Sequence, residues 1–180
     1  VFGIISSVLL GIQFYLQESI DLPFLYFFIF IPCQAFTLYT WIRGNNKNGE
    51  EKPFNPSFLN RNYFFLTLFL FLLIFVADLL ILRKFGDVSH SLAIQIVSAL
   101  VVATSVLANF LLINKKTDSW YYWVIFSIAG IILNILFKDY VTVTLFSVYF
   151  IINANAFYNW VTKTPKENYG WLMRKEKNLK

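Results

Sequence analysis

Apolar runs of roughly the 20 residues needed to cross a bilayer alternate along this chain with short polar connections. They lie at about Val1–Gln17, Leu22–Ile42, Tyr63–Leu82, Leu92–Ile113, Trp120–Phe137 and Val141–Val161. At about 1.5 Å per residue each spans the hydrocarbon layer as an α-helix, with Val1–Gln17 at the short limit. Runs this long, without strict alternation, are helices and not barrel strands, since a backbone in lipid must satisfy its own hydrogen bonds. The pattern therefore predicts an all-α, polytopic membrane fold. The one long connection, Gly44–Asn60 (GNNKNGEEKPFNPSFLN), is rich in Asn, Gly, Pro and charge and reads as a solvated loop.

Composition agrees. Of 180 residues, 58% are hydrophobic, 20% aromatic and only 14% charged, against about 25% charged in a soluble domain. One cysteine and one histidine build neither a disulfide framework nor a metal site, and no metal or cofactor is expected. No phosphate-cradling glycine loop, HExxH or catalytic-triad pattern is present, so an enzyme is not expected either. The net charge of +5 is explained by where the cations lie. Twelve of the fifteen Lys and Arg fall on one side of the spans: Arg43, Lys47, Lys52, Arg61, Lys115, Lys116, Lys163, Lys166 and four more from Arg174 onward. Arg83, Lys84 and Lys138 fall on the other. This bias predicts a cytoplasmic carboxyl terminus and leaves no surplus of charge calling for nucleic acid. The start at Val1, already inside an apolar run, predicts a helix cut at its amino end, with no signal peptide.

The chain also repeats itself. QAFTLYTW (Gln34–Trp41) lies over NANAFYNW (Asn153–Trp160) at an offset of 119 residues, and the same gapless offset places Gly11 on Gly130. Matched segments lie four spans apart and point the same way, as in parallel-repeat transporters. Two parallel three-helix units need one additional crossing between them. Tyr63–Leu82, with almost no polar residue besides Thr67 and Asp78, suits a lipid-facing linker. The expected organisation is residues 1–43 as the last two helices of a first repeat, 44–60 a cytoplasmic loop and 61–84 the linker helix. Residues 90–161 form the second three-helix repeat and 162–180 a cytoplasmic tail, with a first helix preceding Val1.

The ending LYTW of the second run, the KKTDSWYYW stretch entering the fifth and the Asn-rich end of the sixth together resemble the PnuC-type vitamin transporters. The likeness runs from Gly3 to Trp160. Its best-matching pieces are Trp120-x-x-Trp123 after a dibasic loop, and a Gln or Asn seven residues before a terminal Trp. The resemblance implies a three-one-three helix architecture shared with SWEET sugar transporters, a homotrimer, and a bacterial cytoplasmic (inner) membrane. It also implies import of nicotinamide riboside, trapped inside by a soluble kinase. Ser127, four residues after Trp123, departs from the family pattern, where many members carry an amide or an acid. Relatives that carry thiamine or riboflavin share the architecture, so those substrates stay open.

Depth along the spans picks out the candidate site. Gln34 and Ser127 lie near mid-span and Asn153 within about a turn of it, while Thr104, Ser105, Ser6 and Ser7 reach similar depth. Amides offer both a donor and an acceptor, which suits a neutral amide or a ribose hydroxyl. The competing reading is that these groups only bond neighbouring helices. Asn153 and Asn155 are about 200° apart on a helix, so only one faces a central cavity. The tryptophans Trp41, Trp120, Trp123, Trp160 and Trp171 fit an interfacial belt. Trp123 lies deeper, and Trp41 and Trp160 are repeat mates. By resemblance Trp123 stacks on the substrate ring, with Tyr39 and Tyr158 behind it. The expected substrate-binding set is thus Gln34, Trp123, Ser127, Asn153, Asn155, Tyr39, Tyr158, Trp41, Trp160 and Thr104.

Ionisable residues are missing from the interior of the second, fourth, fifth and sixth runs, whereas ion-coupled carriers keep them there. Facilitated diffusion is the expected mechanism. An integral-membrane enzyme would have only Asp87 and His90 to work with. A non-transporting scaffold or binding subunit is the other alternative. A sugar carrier with a PQ motif is disfavoured by the cysteine inside Pro32-Cys33-Gln34.

Overall fold

The computed structural model describes residues 2–17, 21–45, 56–85, 91–165 and 168. The Asp87–His90 pair, Lys47, Lys166 and Trp171 fall outside them. Helix α1 (Phe2–Leu16) is followed by α2 (Asp21–Phe24), which runs through a π-helical segment, Leu25–Phe30, into α3 (Ile31–Asn45). Then come α4 (Arg61–Phe85), α5 (Leu92–Ile113), α6 (Ser119–Leu136) and α7 (Tyr140–Lys163). Among the described residues, five helical stretches are long and apolar enough to cross a membrane, namely Asp21–Thr40 and α4 to α7, and α1 contributes a shorter apolar helix, Ile4–Leu16. The fold is the all-α, multi-span one that the pattern predicts.

Local sequence explains the helix ends. Ser91 caps α5 by accepting the Ile94 N–H, and Asp139 caps α7 by accepting the Thr142 N–H at 3.1 Å. The turns leaving α5 and α6 place Lys115 and Lys138 in the left-handed region, at φ 53° and 61°. Their positive charges there sit against the negative ends of the helix dipoles. The π segment has its cause in proline. Pro32 has no N–H to donate, and just before it the Ile31 N–H reaches five residues back to the Tyr26 carbonyl.

Helix α5 is the central post, packing against α2, the π segment, α3, α4 and α6. Its buried face carries many small residues (Ser98, Ala99, Ala103, Ser105, Ala108), which let neighbouring backbones approach closely, as in other membrane helix contacts. Helix α4 packs mainly on α5 and turns most of its large apolar side chains outward. Its buried residues are Thr67, Asp78 and Leu82, so the two polar positions of that run face the protein. Thr67 meets the Tyr122 hydroxyl of α6. Glycine permits two close approaches 119 residues apart: a Cβ on Gly11 would lie 2.9 Å from the Phe27 ring, and one on Gly130 only 2.1 Å from the Phe146 ring.

Polar side chains knot the two ends of the bundle. On the face bearing the basic loop, Pro56–Leu59 lies along the α5–α6 turn and the start of the tail. Ser57 and Lys116 form a parallel bridge, and the Thr117 N–H donates to the Ser57 carbonyl at 2.9 Å. The Leu59 N–H donates to Asp118 Oδ2 at 2.7 Å, and Asn168 accepts from the Phe58 N–H. Burial pushes the Asp118 carboxyl above its usual range, against the opposing pull of the Leu59 N–H. On the opposite face, Asp139 takes hydrogen bonds from Gln13 of α1, from Gln17 just after that helix and from Thr142 of α7. Burial opposes its charge, but the Thr142 N–H and hydroxyl, the Gln13 amide and the Val141 N–H outweigh it and lower its pKa.

Candidate functional site

A cavity of about 270 Å³ lies at mid-depth between α1, the π segment, α3, α6 and α7. Gln34, Trp123 and Asn153 line it, together with Ser6, Ser7 and Trp120. No lining residue carries a charge. Toward the face opposite the basic loop it is roofed by stacked aromatics: Tyr26 lies against Phe14 and Phe30, and Phe30 meets both Trp123 and Phe126 edge-on or tilted. Toward the basic face Trp120 borders it and packs edge-to-face on Trp160.

The two amides are held in the same way. Gln34 Nε2 donates to Ser7 Oγ at 3.0 Å, and Asn153 Nδ2 donates to Ser127 Oγ at 2.8 Å. In both cases an amide bonds a serine on the helix preceding its own. The Ser127 hydroxyl donates onward to the Trp123 carbonyl, which Asn153 Nδ2 also reaches at 3.2 Å. The amino group of Asn153 is thereby fixed toward α6. Amide hydrogen bonding between helices and lining of the cavity are both present in the same residues.

Three buried polar atoms among the cavity residues have no partner: Gln34 Oε1, the Tyr26 hydroxyl and Trp120 Nε1. An unmet buried polar atom costs about 1–3 kcal/mol, and three on residues that line one cavity mark a place where a ligand or water can complete the bonding. The set comprises an acceptor, a donor and a hydroxyl that can do either. It suits a molecule that bears hydroxyls or an amide and no anionic group, with aromatic walls for a flat ring.

The remaining candidates lie elsewhere. Thr104 is fully buried, and its hydroxyl donates to the Leu100 and Val101 carbonyls of its own helix. Tyr39 and Tyr158 are 53% and 67% exposed on the outer surface of the chain. Asn155 is also exposed and accepts from Asn159 Nδ2 at 3.3 Å. Trp160 reaches the site only through Trp120, and the Trp41 side chain lies outside the described residues. Sequence reasoning missed Tyr26, whose facing depends on the π segment, and assigned Trp120 to the interfacial belt. A second cavity, about 460 Å³, lies between Leu59, α4 and α6. It is almost wholly apolar, and its one charged residue, Asp118, already accepts the Leu59 N–H.

The profile of the nicotinamide mononucleotide transporter family matches residues 1–162. Among solved structures, the crystal structure of the vitamin B3 transporter PnuC aligns with a TM-score of 0.63 at 20% identity, covering 91% of this chain and 72% of that one. At that identity the likeness is one of fold. No curated protein matches. Both the family and the matched structure are transporters and not enzymes. By the extent of the profile match, this multi-pass membrane chain belongs to the nicotinamide mononucleotide transporter family.

Proposed function

We propose that the chain imports nicotinamide riboside by facilitated diffusion, with Gln34, Asn153, Tyr26 and Trp120 binding its polar groups and Trp123 stacking on its ring. The observation that carries this reading is the uncharged cavity with its three partnerless polar atoms. A nucleotide would bring a phosphate into a site with no lysine, arginine or other counter-charge, and burying an unpaired anion is prohibitive. Nicotinamide riboside brings hydroxyls, an amide and a pyridinium cation instead, and the aromatic walls meet that cation by cation–π attraction. At about 270 Å³ the cavity is near the small end of ligand sites, which favours a one-ring base over the tricyclic flavin of riboflavin. Phosphorylation inside the cell then retains the riboside, since the added phosphate meets no counter-charge in the cavity. The positive-inside bias supports placing the basic face in the cytoplasm of a bacterial inner membrane. The repeat supports two parallel three-helix units joined by α4, and a homotrimer is the assembly expected by family resemblance.

Calorimetry on the purified protein tests the ligand. The riboside should bind, and the mononucleotide should bind at least about ten-fold more weakly, a difference of 1.4 kcal/mol or more. Equal affinity for the two, or preference for thiamine or riboflavin, defeats the assignment. In liposomes, flux should follow the riboside gradient and ignore a sodium gradient.

A further inference from the structure

Two carboxyl groups meet at the face opposite the basic loop, away from the cavity. Asp21 opens α2, and Asp78 lies on α4; they are 8% and 9% exposed. The two carboxyls are within hydrogen-bond reach of each other. The Ser98 hydroxyl of α5 donates to Asp21 Oδ2, while Asp78 Oδ2 is buried without a partner. Three elements are therefore joined at one acidic point: the entry to the first pair of helices, the linker and the central post.

Two carboxylates in contact in a poorly solvated site cannot both ionise, so one keeps a proton and donates it to the other. An unpaired charge on Asp78 would be costly at this depth, and an acid within a span marks function by default. Among the described residues, the surroundings do not supply a cation. Ser98 and, a turn further out, Gln95 come from α5, and Gln17, just after α1, is engaged with Asp139. Arg83 and Lys84 of α4 are exposed at its end. Glu18, Asp87 and His90 belong to connections outside the described residues, and variants of all three serve as controls.

We propose that Asp21 and Asp78 form a proton-binding site whose occupancy holds α2, α4 and α5 together and keeps the outer path closed. Loss of the proton to the outer solution leaves two carboxylates that repel, freeing the aromatic roof over the cavity to part. The proton enters and leaves on one side only, so it regulates the carrier without driving it. That the side is the outer one rests on the positive-inside orientation proposed for the chain.

The experiment varies pH independently on the two sides of liposomes containing the full chain and follows riboside flux. The wild-type rate should rise several-fold as outer pH goes from about 5 to about 8, the range over which a proton shared by two carboxyls is lost. Inner pH should have no effect. Asp78→Asn, which keeps a hydrogen bond to Asp21 without a titrating proton, should give a flat profile. Glu18→Gln, Asp87→Asn and His90→Gln should keep the wild-type profile. A flat wild-type profile, or an Asp78→Asn profile like the wild type, overturns the proposal. A response to inner pH alone supports the proton site and overturns the orientation. A readout independent of transport is the infrared band of a protonated carboxyl at neutral pH. It should be present in the folded wild type and reduced in both Asp21→Asn and Asp78→Asn. Equal bands in all three overturn the proposal even if the riboside proves not to be the substrate.

Discussion

Gln34 and Asn153 each combine two jobs, since the amino end of each amide is bonded to a serine on the preceding helix. The end left for the ligand is then an acceptor, and a ligand hydroxyl or amide N–H is the matching group. Gln34→Leu should remove that bond, worth about 0.5–1.5 kcal/mol, and leave the ligand group unpaired at about 1–3 kcal/mol more. Affinity for the riboside, read by calorimetry, should fall about ten-fold or further. Trp123→Ala should weaken binding strongly, and Trp123→Phe should retain part of it because a ring face remains. Unchanged binding in both Gln34→Leu and Trp123→Ala would reduce these residues to helix packing. Depth was legible in the sequence, because position along a span converts directly to height at about 1.5 Å per residue. Facing was not: Tyr39, Tyr158 and Asn155 lie on the outer surface of the chain, because rotation about the helix axis is set by packing against neighbours.

At the scale of elements, the π segment explains why Tyr26 escaped a reading built on a regular helical period. A turn closed by an i to i−5 bond carries more residues than an α turn, so it rotates the residues before it relative to those after it. The helices themselves and their mainly apolar faces were legible, because lipid demands long unbroken runs and leaves few alternatives. The glycine contacts follow the 119-residue offset and are unequal in tightness. Phe146 is fully buried, so its ring has little room to give, whereas Phe27 is only partly buried. Gly130→Ala should therefore destabilise by about 1–3 kcal/mol through overpacking. Gly11→Ala should cost clearly less. Thermal unfolding in detergent compares the two, and equal losses would mean that the α6–α7 contact yields as readily as the one at Gly11.

Across the whole molecule, α4 connects the knot at the basic face with the acid pair at the opposite face. Its 25 residues form a rod of about 37 Å at 1.5 Å per residue. Leu59, one residue before the helix is entered through Asn60, is fastened to Asp118; Asp78, far along it, meets Asp21. Asp118→Ala should release the near fastening and change the outer-pH profile of flux, although the substitution lies across the membrane from the acid pair. Asp118→Asn, whose amide oxygen still accepts the Leu59 N–H, should change it much less. Identical profiles in Asp118→Ala and wild type would show that the two ends move independently. The rod places the two faces mechanically in series, so a push on the basic loop arrives at the far acids as an axial displacement. Any protein or modification that grips that loop would then act as a remote throttle on uptake, without touching the substrate or its cavity.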